Sequence, residues 1–118
     1  MRCLGELETA VMEVLWAVGE SAKVREVLDR LDTGRSLAYT TVLTVLDNLH
    51  RKGWVQRERE GRAYRYRPVL TREEAAAQML HHVLDVSGTP EVVLTHFVGT
   101  VSDEHAEVLR IALRERDG

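Results

Sequence analysis

Between Ser36 and Gly53 apolar residues return at helical spacing, and the helix they predict carries Val42, Val45, Leu46 and Leu49 on one side. The other side holds Thr40, Thr41, Thr44, Asp47, Asn48 and Arg51. Acids and long lysines are the usual filling of a solvated helix face, whereas this one is built largely from short hydroxyl and amide groups. Such side chains approach base edges closely, donate and accept hydrogen bonds, and offer a threonine methyl to thymine. Gly53 stops the helix, and Arg51 and Lys52 occupy its last turn, where the helix dipole favours cations. The stretch reads either as a recognition helix or as an ordinary amphipathic helix, and its polar composition favours the first.

The same periodicity predicts two helices before it. Residues 4–18 place Leu4, Leu7, Val11, Val14, Leu15 and Val18 on one face, and residues 23–31 do the same with Val24, Val27, Leu28 and Leu31. Gly19-Glu20-Ser21 separates them, Asp32-Thr33-Gly34 is a turn signal, and Ser36 is the expected cap of the third helix. After Gly53 the period changes from helical to alternating. Residues 54–60 and 62–67 form two short runs around Glu60-Gly61, with Tyr64 and Tyr66 on one face of the second. Helix, helix, helix, hairpin is the order of a winged helix-turn-helix, in which the third helix enters the major groove and the hairpin lies along the backbone or in the minor groove.

Pro68 closes the hairpin, and the remainder is helical. Thr71-Arg72-Glu73-Glu74 is a capping box opening a helix to about Val86, with Ala75, Ala76, Met79, Leu80, Val83 and Leu84 as its stripe. Thr89-Pro90-Glu91 opens a second helix, with the threonine as cap, proline at the first position and an acid in the first turn, and Ser102-Asp103-Glu104 opens a third. The expected fold is therefore mainly α with a small β-hairpin. A winged-helix domain over 1–69 precedes a helical dimerisation segment over 70–118. About fifty residues are too few to bury those stripes alone. A homodimer would cover Met79, Leu80, Val83, Leu84, Val93, Leu94, Phe97 and Leu109 and would pair two recognition helices across a two-fold axis. The alternative is that the helices fold back on the winged unit.

Charge sharpens the picture. The net charge of -3 argues superficially against a nucleic-acid partner, but residues 35–68 carry +5 while the flanking thirds carry -3 and -5. Such a concentration is the electrostatic footprint of a phosphate-binding surface. Thr40, Thr41 and Thr44 are the base-reading candidates, Tyr39 and Asn48 are further DNA-binding candidates on the same helix, and Arg51, Arg62 and Arg65 are the phosphate candidates. Arg62, beside the turn glycine, is best placed for the minor groove. Tyr39 either donates its hydroxyl to a phosphate or packs under the helix. Trp16 is expected in the core, and Trp54 as a brace for the hairpin. Cys3, His81, His82, His96 and His105 have no zinc-like spacing, so no metal or cofactor is expected. Phosphate loops, nucleophile elbows and HExxH motifs are lacking, so the chain does not read as an enzyme. No apolar run approaches the ~20 residues of a membrane span, and no signal peptide is evident at Met1-Arg2-Cys3-Leu4. One cysteine fits a reducing compartment, so a cytoplasmic protein without membrane insertion is expected.

Tyr39-Thr40-Thr41-Val42, Leu46, Leu49, Lys52-Gly53, Gly61-Arg62 and Tyr66-Arg67-Pro68 resemble the penicillinase-repressor (BlaI/MecI) family. So do Leu4-Gly5-Glu6-Leu7-Glu8 and Val11-Met12-Glu13-Val14-Leu15-Trp16. The motifs cover residues 4–68, and the likeness continues weakly through the C-terminal helices. The resemblance implies a dimeric winged-helix repressor on a double-stranded operator of two inverted half-sites. It also implies relief by cleavage in the dimerisation helices, in response to a membrane-embedded zinc metallopeptidase sensor. The targets it implies are β-lactamase and related cell-wall antibiotic-resistance genes, or metal export in a copper-responsive branch. Two positions depart from the family pattern. Asn48 stands where a basic residue is usual, and the candidate cleavage bond is His96-Phe97 in place of Asn-Phe, so the bond cut and the inducing signal stay open. Residues 114–118 also lack the cysteines of the copper branch. Two further readings remain beside this one: a winged-helix protein-interaction module, and direct ligand or metal sensing through the helical segment.

Overall fold

The computed structural model describes residues 4–31 and 36–118. The expected turn at Asp32-Thr33-Gly34, together with Arg35 and Cys3, lies outside them. The described chain runs α1 (Glu6–Val18), β1 (Ala22–Lys23), α2 (Val24–Arg30), α3 (Tyr39–Arg51), β2 (Val55–Glu60), β3 (Ala63–Pro68), α4 (Arg72–Ser87), α5 (Pro90–Thr100) and α6 (Asp103–Asp117). It divides into two compact units, one through Met79 and one over Leu80–Gly118.

The core of the first unit follows from the apolar stripes. The four residues of the α3 stripe, Val42, Val45, Leu46 and Leu49, are buried. They meet Val11, Met12 and Leu15 of α1 and Val24 and Val27 of α2. Burying a side chain of this size contributes roughly 1.5–3 kcal/mol, so three helices with such stripes collapse onto one another. The sheet closes the core with Val55 and Tyr66, and Trp54 seats the start of the hairpin. Trp54 is almost wholly buried, as a brace must be. Trp16 lies at the margin instead: it is half-buried, and its Nε1 donates to the Leu70 carbonyl at 2.9 Å. That bond fastens the segment after β3 to α1. Ala75 of α4 is buried and Met79 packs against the same core, so the first unit continues beyond the hairpin into α4.

β1 is an element that the sequence pattern does not reveal. Two residues are too short to show a period, yet they pair antiparallel with β3, Ala22 opposite Tyr66 and Lys23 opposite Arg65. The sheet order is β1-β3-β2. β2 and β3 pair with Glu60 opposite Ala63, leaving Gly61-Arg62 as a two-residue loop. Gly61 sits at φ +63, the conformation that a tight hairpin asks of its first loop residue.

Two helix caps need correction. Ser36 does not cap α3: the N-cap is Ala38, whose carbonyl accepts from Thr41 and Val42, and no side chain caps the end. Ser36 stands two residues too early to reach the exposed N–H groups. Thr89 occupies the N-cap of α5 as expected, but its side chain accepts no capping bond there. The other caps hold. Thr71 and Glu74 form a reciprocal capping box at 3.0 and 3.1 Å, and Ser102 accepts from His105 N–H at 3.1 Å. α1 starts at Glu6, two residues later than the apolar pattern alone suggests, because Gly5 is its N-cap and donates to Glu8 Oε1 at 3.1 Å.

In the second unit, α5 and α6 have no buried residue. Leu80, Val83, Val86, Val92, Leu94, Phe97, Val98, Val108, Ile111 and Leu113 are all exposed.

Candidate nucleic-acid interface

Burial of the apolar stripe of α3 turns its polar stripe outward. Thr40, Thr41, Thr44 and Arg51 are exposed, and Asp47 and Asn48 are half-exposed. Thr44 Oγ1 donates to the Thr40 carbonyl at 2.9 Å, so its proton is engaged within the helix. What Thr44 presents outward is oxygen lone pairs and a methyl group. Asn48 Oδ1 accepts from the Arg51 guanidinium, which couples a candidate base reader to a candidate phosphate binder. Tyr39, at the first turn, is 41% exposed, with the guanidinium carbon of Arg25 at 5.7 Å from its ring centroid.

The end of α3 is anchored through its C-cap residue, Lys52. Lys52 Nζ donates to both carboxylate oxygens of Glu8, at 2.7 and 2.8 Å. Burial pushes the Glu8 carboxyl up, but the Lys52 hydrogen bond and charge and the Gly5 N–H outweigh it, leaving the group below its ordinary value. This pair ties the start of α1 to the C-terminus of α3.

Strand pairing decides which hairpin cations share a side with α3. Arg57 stands opposite Tyr66 and Arg59 opposite Tyr64, so the four share one face. Tyr66 is fully buried, and Arg57 NH1 reaches Asp47 Oδ1 of α3 at 3.1 Å. Arg57 and Arg59 thus stand on the α3 side of the wing, with their guanidinium carbons 4.3 and 5.6 Å from the Tyr64 ring centroid. Neither residue stands out in the charge pattern. The signal that would have found them is the two-residue loop at Gly61-Arg62, which fixes the register and places both opposite tyrosines.

Arg62 is exposed at the hairpin tip and forms no ion pair among the described residues. Arg65 has a different setting. It lies on the opposite face of β3, where Nε donates to Ser21 Oγ and NH2 to the Ser21 carbonyl, both at 2.9 Å. Glu26 and Glu60 lie 3.4 and 3.6 Å from its NH1. The structure brings together Thr40, Thr41, Thr44, Asn48 and Arg51 on α3 and sets Arg65 apart, fastening β3 to the start of α2.

The candidate dimer residues are also placed. Leu80, Val83, Leu94 and Phe97 are exposed, while Leu84, Val93 and Leu109 are half-buried. Met79 instead packs on the core of the first unit. His96 and Phe97 are adjacent, exposed residues within α5. Among the described residues no group of three or more His, Cys, Asp or Glu side chains is arranged to hold a metal ion. No described helix is long and apolar enough to cross a membrane.

Comparison with known proteins agrees with this architecture. The penicillinase repressor family model matches residues 4–115. The transcriptional regulator BlaI of Mycobacterium tuberculosis is 44% identical over 115 residues, covering 95% of this chain and 83% of that protein. Among solved structures, the DNA-binding domain of the repressor BlaI is 29% identical with a TM-score of 0.51, covering 58% of this chain and 83% of that one. The complex structure of hsRosR covers 98% of this chain and 92% of its own at 21% identity and a TM-score of 0.55, a likeness of fold alone. With its motifs on the described helices and hairpin and a match over nearly its whole length, the chain belongs to the penicillinase repressor family, a family of transcriptional regulators and not of enzymes.

Proposed function

We propose that this chain is a homodimeric, sequence-specific DNA-binding repressor that binds an inverted-repeat operator through α3 and the wing. The carrying observation is the outward face of α3, where threonines, an amide and an arginine stand clear of the core beside the cationic face of the wing. Thr40, Thr41, Thr44 and Asn48 take the base edges, Tyr39 lies at the groove's rim, and Arg51 and Arg62 take phosphates. Arg59 joins the phosphate set, and Arg65 acts within the fold. Residues 1–69 supply the DNA-binding domain and 70–118 the dimerisation segment. The relatives support this reading, since one is named a transcriptional regulator and the other a repressor with a DNA-binding domain.

The exposed apolar residues of the second unit support the dimer: ten large side chains in fewer than forty residues are left to solvent by a single chain. Relief of repression follows from loss of that dimer, with cleavage at His96-Phe97 by a membrane-embedded zinc metallopeptidase pathway as the route the family suggests. Antibiotic-resistance genes of the β-lactamase type are the first targets to test. The cell compartment proposed is the cytoplasm.

Hydroxyl-radical footprinting on the DNA upstream of the chain's own gene tests the reading. The expected result is two protected half-sites related by a two-fold axis, spaced by one or more turns of about 10 base pairs. A single protected half-site, or uniform protection, contradicts the symmetric dimer.

A further inference from the structure

Asp47 is out of place on a surface that faces DNA. It belongs to the outward stripe of α3, four residues before Arg51 and three after Thr44, where an uncompensated carboxylate would repel a polyanion. Its charge is met from the wing. Arg57 NH1 donates to Asp47 Oδ1 at 3.1 Å, and the hydroxyl of fully buried Tyr66 approaches the same oxygen at 3.5 Å. Arg57 also lies over the Tyr64 ring at 4.3 Å, and Arg59 borders that ring at 5.6 Å. A continuous chain of contacts thus runs from the recognition helix through Asp47, Arg57 and Tyr64 to Arg59.

We infer that Asp47 is a positioning residue for DNA recognition: through Arg57 it locks the wing to α3 and keeps the phosphate-binding arginines in register with the base-reading threonines. This inference rests on the DNA-binding reading above. A stabilising role alone is a poor explanation, because the pair is 30% and 43% exposed and such ion pairs add little to folding. In a locked geometry, phosphate contacts by Arg59 and Arg62 form only when α3 is seated at the right depth, which converts non-specific affinity into discrimination. A loose wing would still bind phosphate, but on any sequence.

The test compares Asp47→Asn, Arg57→Gln and the double variant in the full-length chain, using an operator duplex and a scrambled duplex of equal length, with melting temperatures recorded in parallel. Each single variant is expected to lower the ratio of operator to scrambled affinity by about tenfold. The double variant should do no worse than either single variant, and melting temperatures should stay close to the parent's. Losses that multiply in the double variant overturn the inference. So does an Asp47→Asn effect confined to one base pair, which would make Asp47 a reader of a cytosine amino group. If Asp47→Asn fails to fold, Arg57→Gln alone decides: weakening on both duplexes with an unchanged ratio makes Arg57 a phosphate contact and overturns the lock. A parent chain that does not discriminate between the duplexes overturns the function and this inference together, whereas a discriminating parent with uncoupled variants overturns only the inference.

Discussion

Thr44 shows what a single residue contributes on the proposed reading surface. Its proton is committed to the Thr40 carbonyl, so it meets a base edge as an acceptor and a methyl group, a combination suited to an amino group or a thymine methyl. Thr44→Ala should weaken operator binding by about 1–3 kcal/mol while leaving scrambled DNA unaffected; equal losses in an anisotropy titration would contradict base reading. Arg62 makes the complementary case. Exposed beside the turn and with no ion-pair partner among the described residues, it should act on phosphate alone. Arg62→Ala should weaken both duplexes and reduce the slope of log K against log salt by about 0.9, and an unchanged slope would remove it from the phosphate set. Strand parity explains why Arg65 looked equivalent in the sequence. A count of cations along 57–67 treats all five arginines alike, whereas the pleat sends Arg57 and Arg59 to the α3 side and Arg65 to Ser21 and Glu26.

Elements were legible where their period ran long enough. The stripe of α3 names four buried residues, and the alternation around Tyr64 and Tyr66 marks the hairpin. β1 was not legible, because two residues carry no period and their pairing is decided by where α2 ends up relative to β3. Nor was the true cap of α3, since a serine two positions away looks as good as any in a linear reading. Between elements, the Glu8–Lys52 pair makes a pH prediction. The folded carboxyl sits below its ordinary value, so its stabilisation is present above the unfolded value and is lost as pH falls through the folded one. Glu8→Gln should therefore lower stability at neutral pH by on the order of 1–2 kcal/mol. The gap to the parent should close on acidification through the carboxylate range. Melting curves collected from neutral to acidic pH check this; a gap of constant size would mean that the pair contributes nothing through its charge.

At the scale of the whole molecule, the contrast between the two units carries the proposed mechanism. The first buries its apolar stripes in a closed core, while the second leaves Leu80, Val83, Leu94 and Phe97 in solvent. The sequence announced these stripes, but a single chain cannot reveal what covers them, and only the burial pattern separates Met79, which packs on the first core, from its neighbours. A second copy would cover them and would set two copies of α3 on one operator. Phe97→Asp should then shift the chain from dimer to monomer in sedimentation velocity with the winged unit still folded, and an unchanged sedimentation coefficient would place the partner surface elsewhere.

The most direct measurement is a fluorescence-anisotropy titration of the full-length chain against the DNA upstream of its own gene and a scrambled duplex, near physiological salt. Sequence-specific repression of that gene predicts a preference of at least about 10³-fold for the upstream DNA. Equal and weak binding to both duplexes would contradict it.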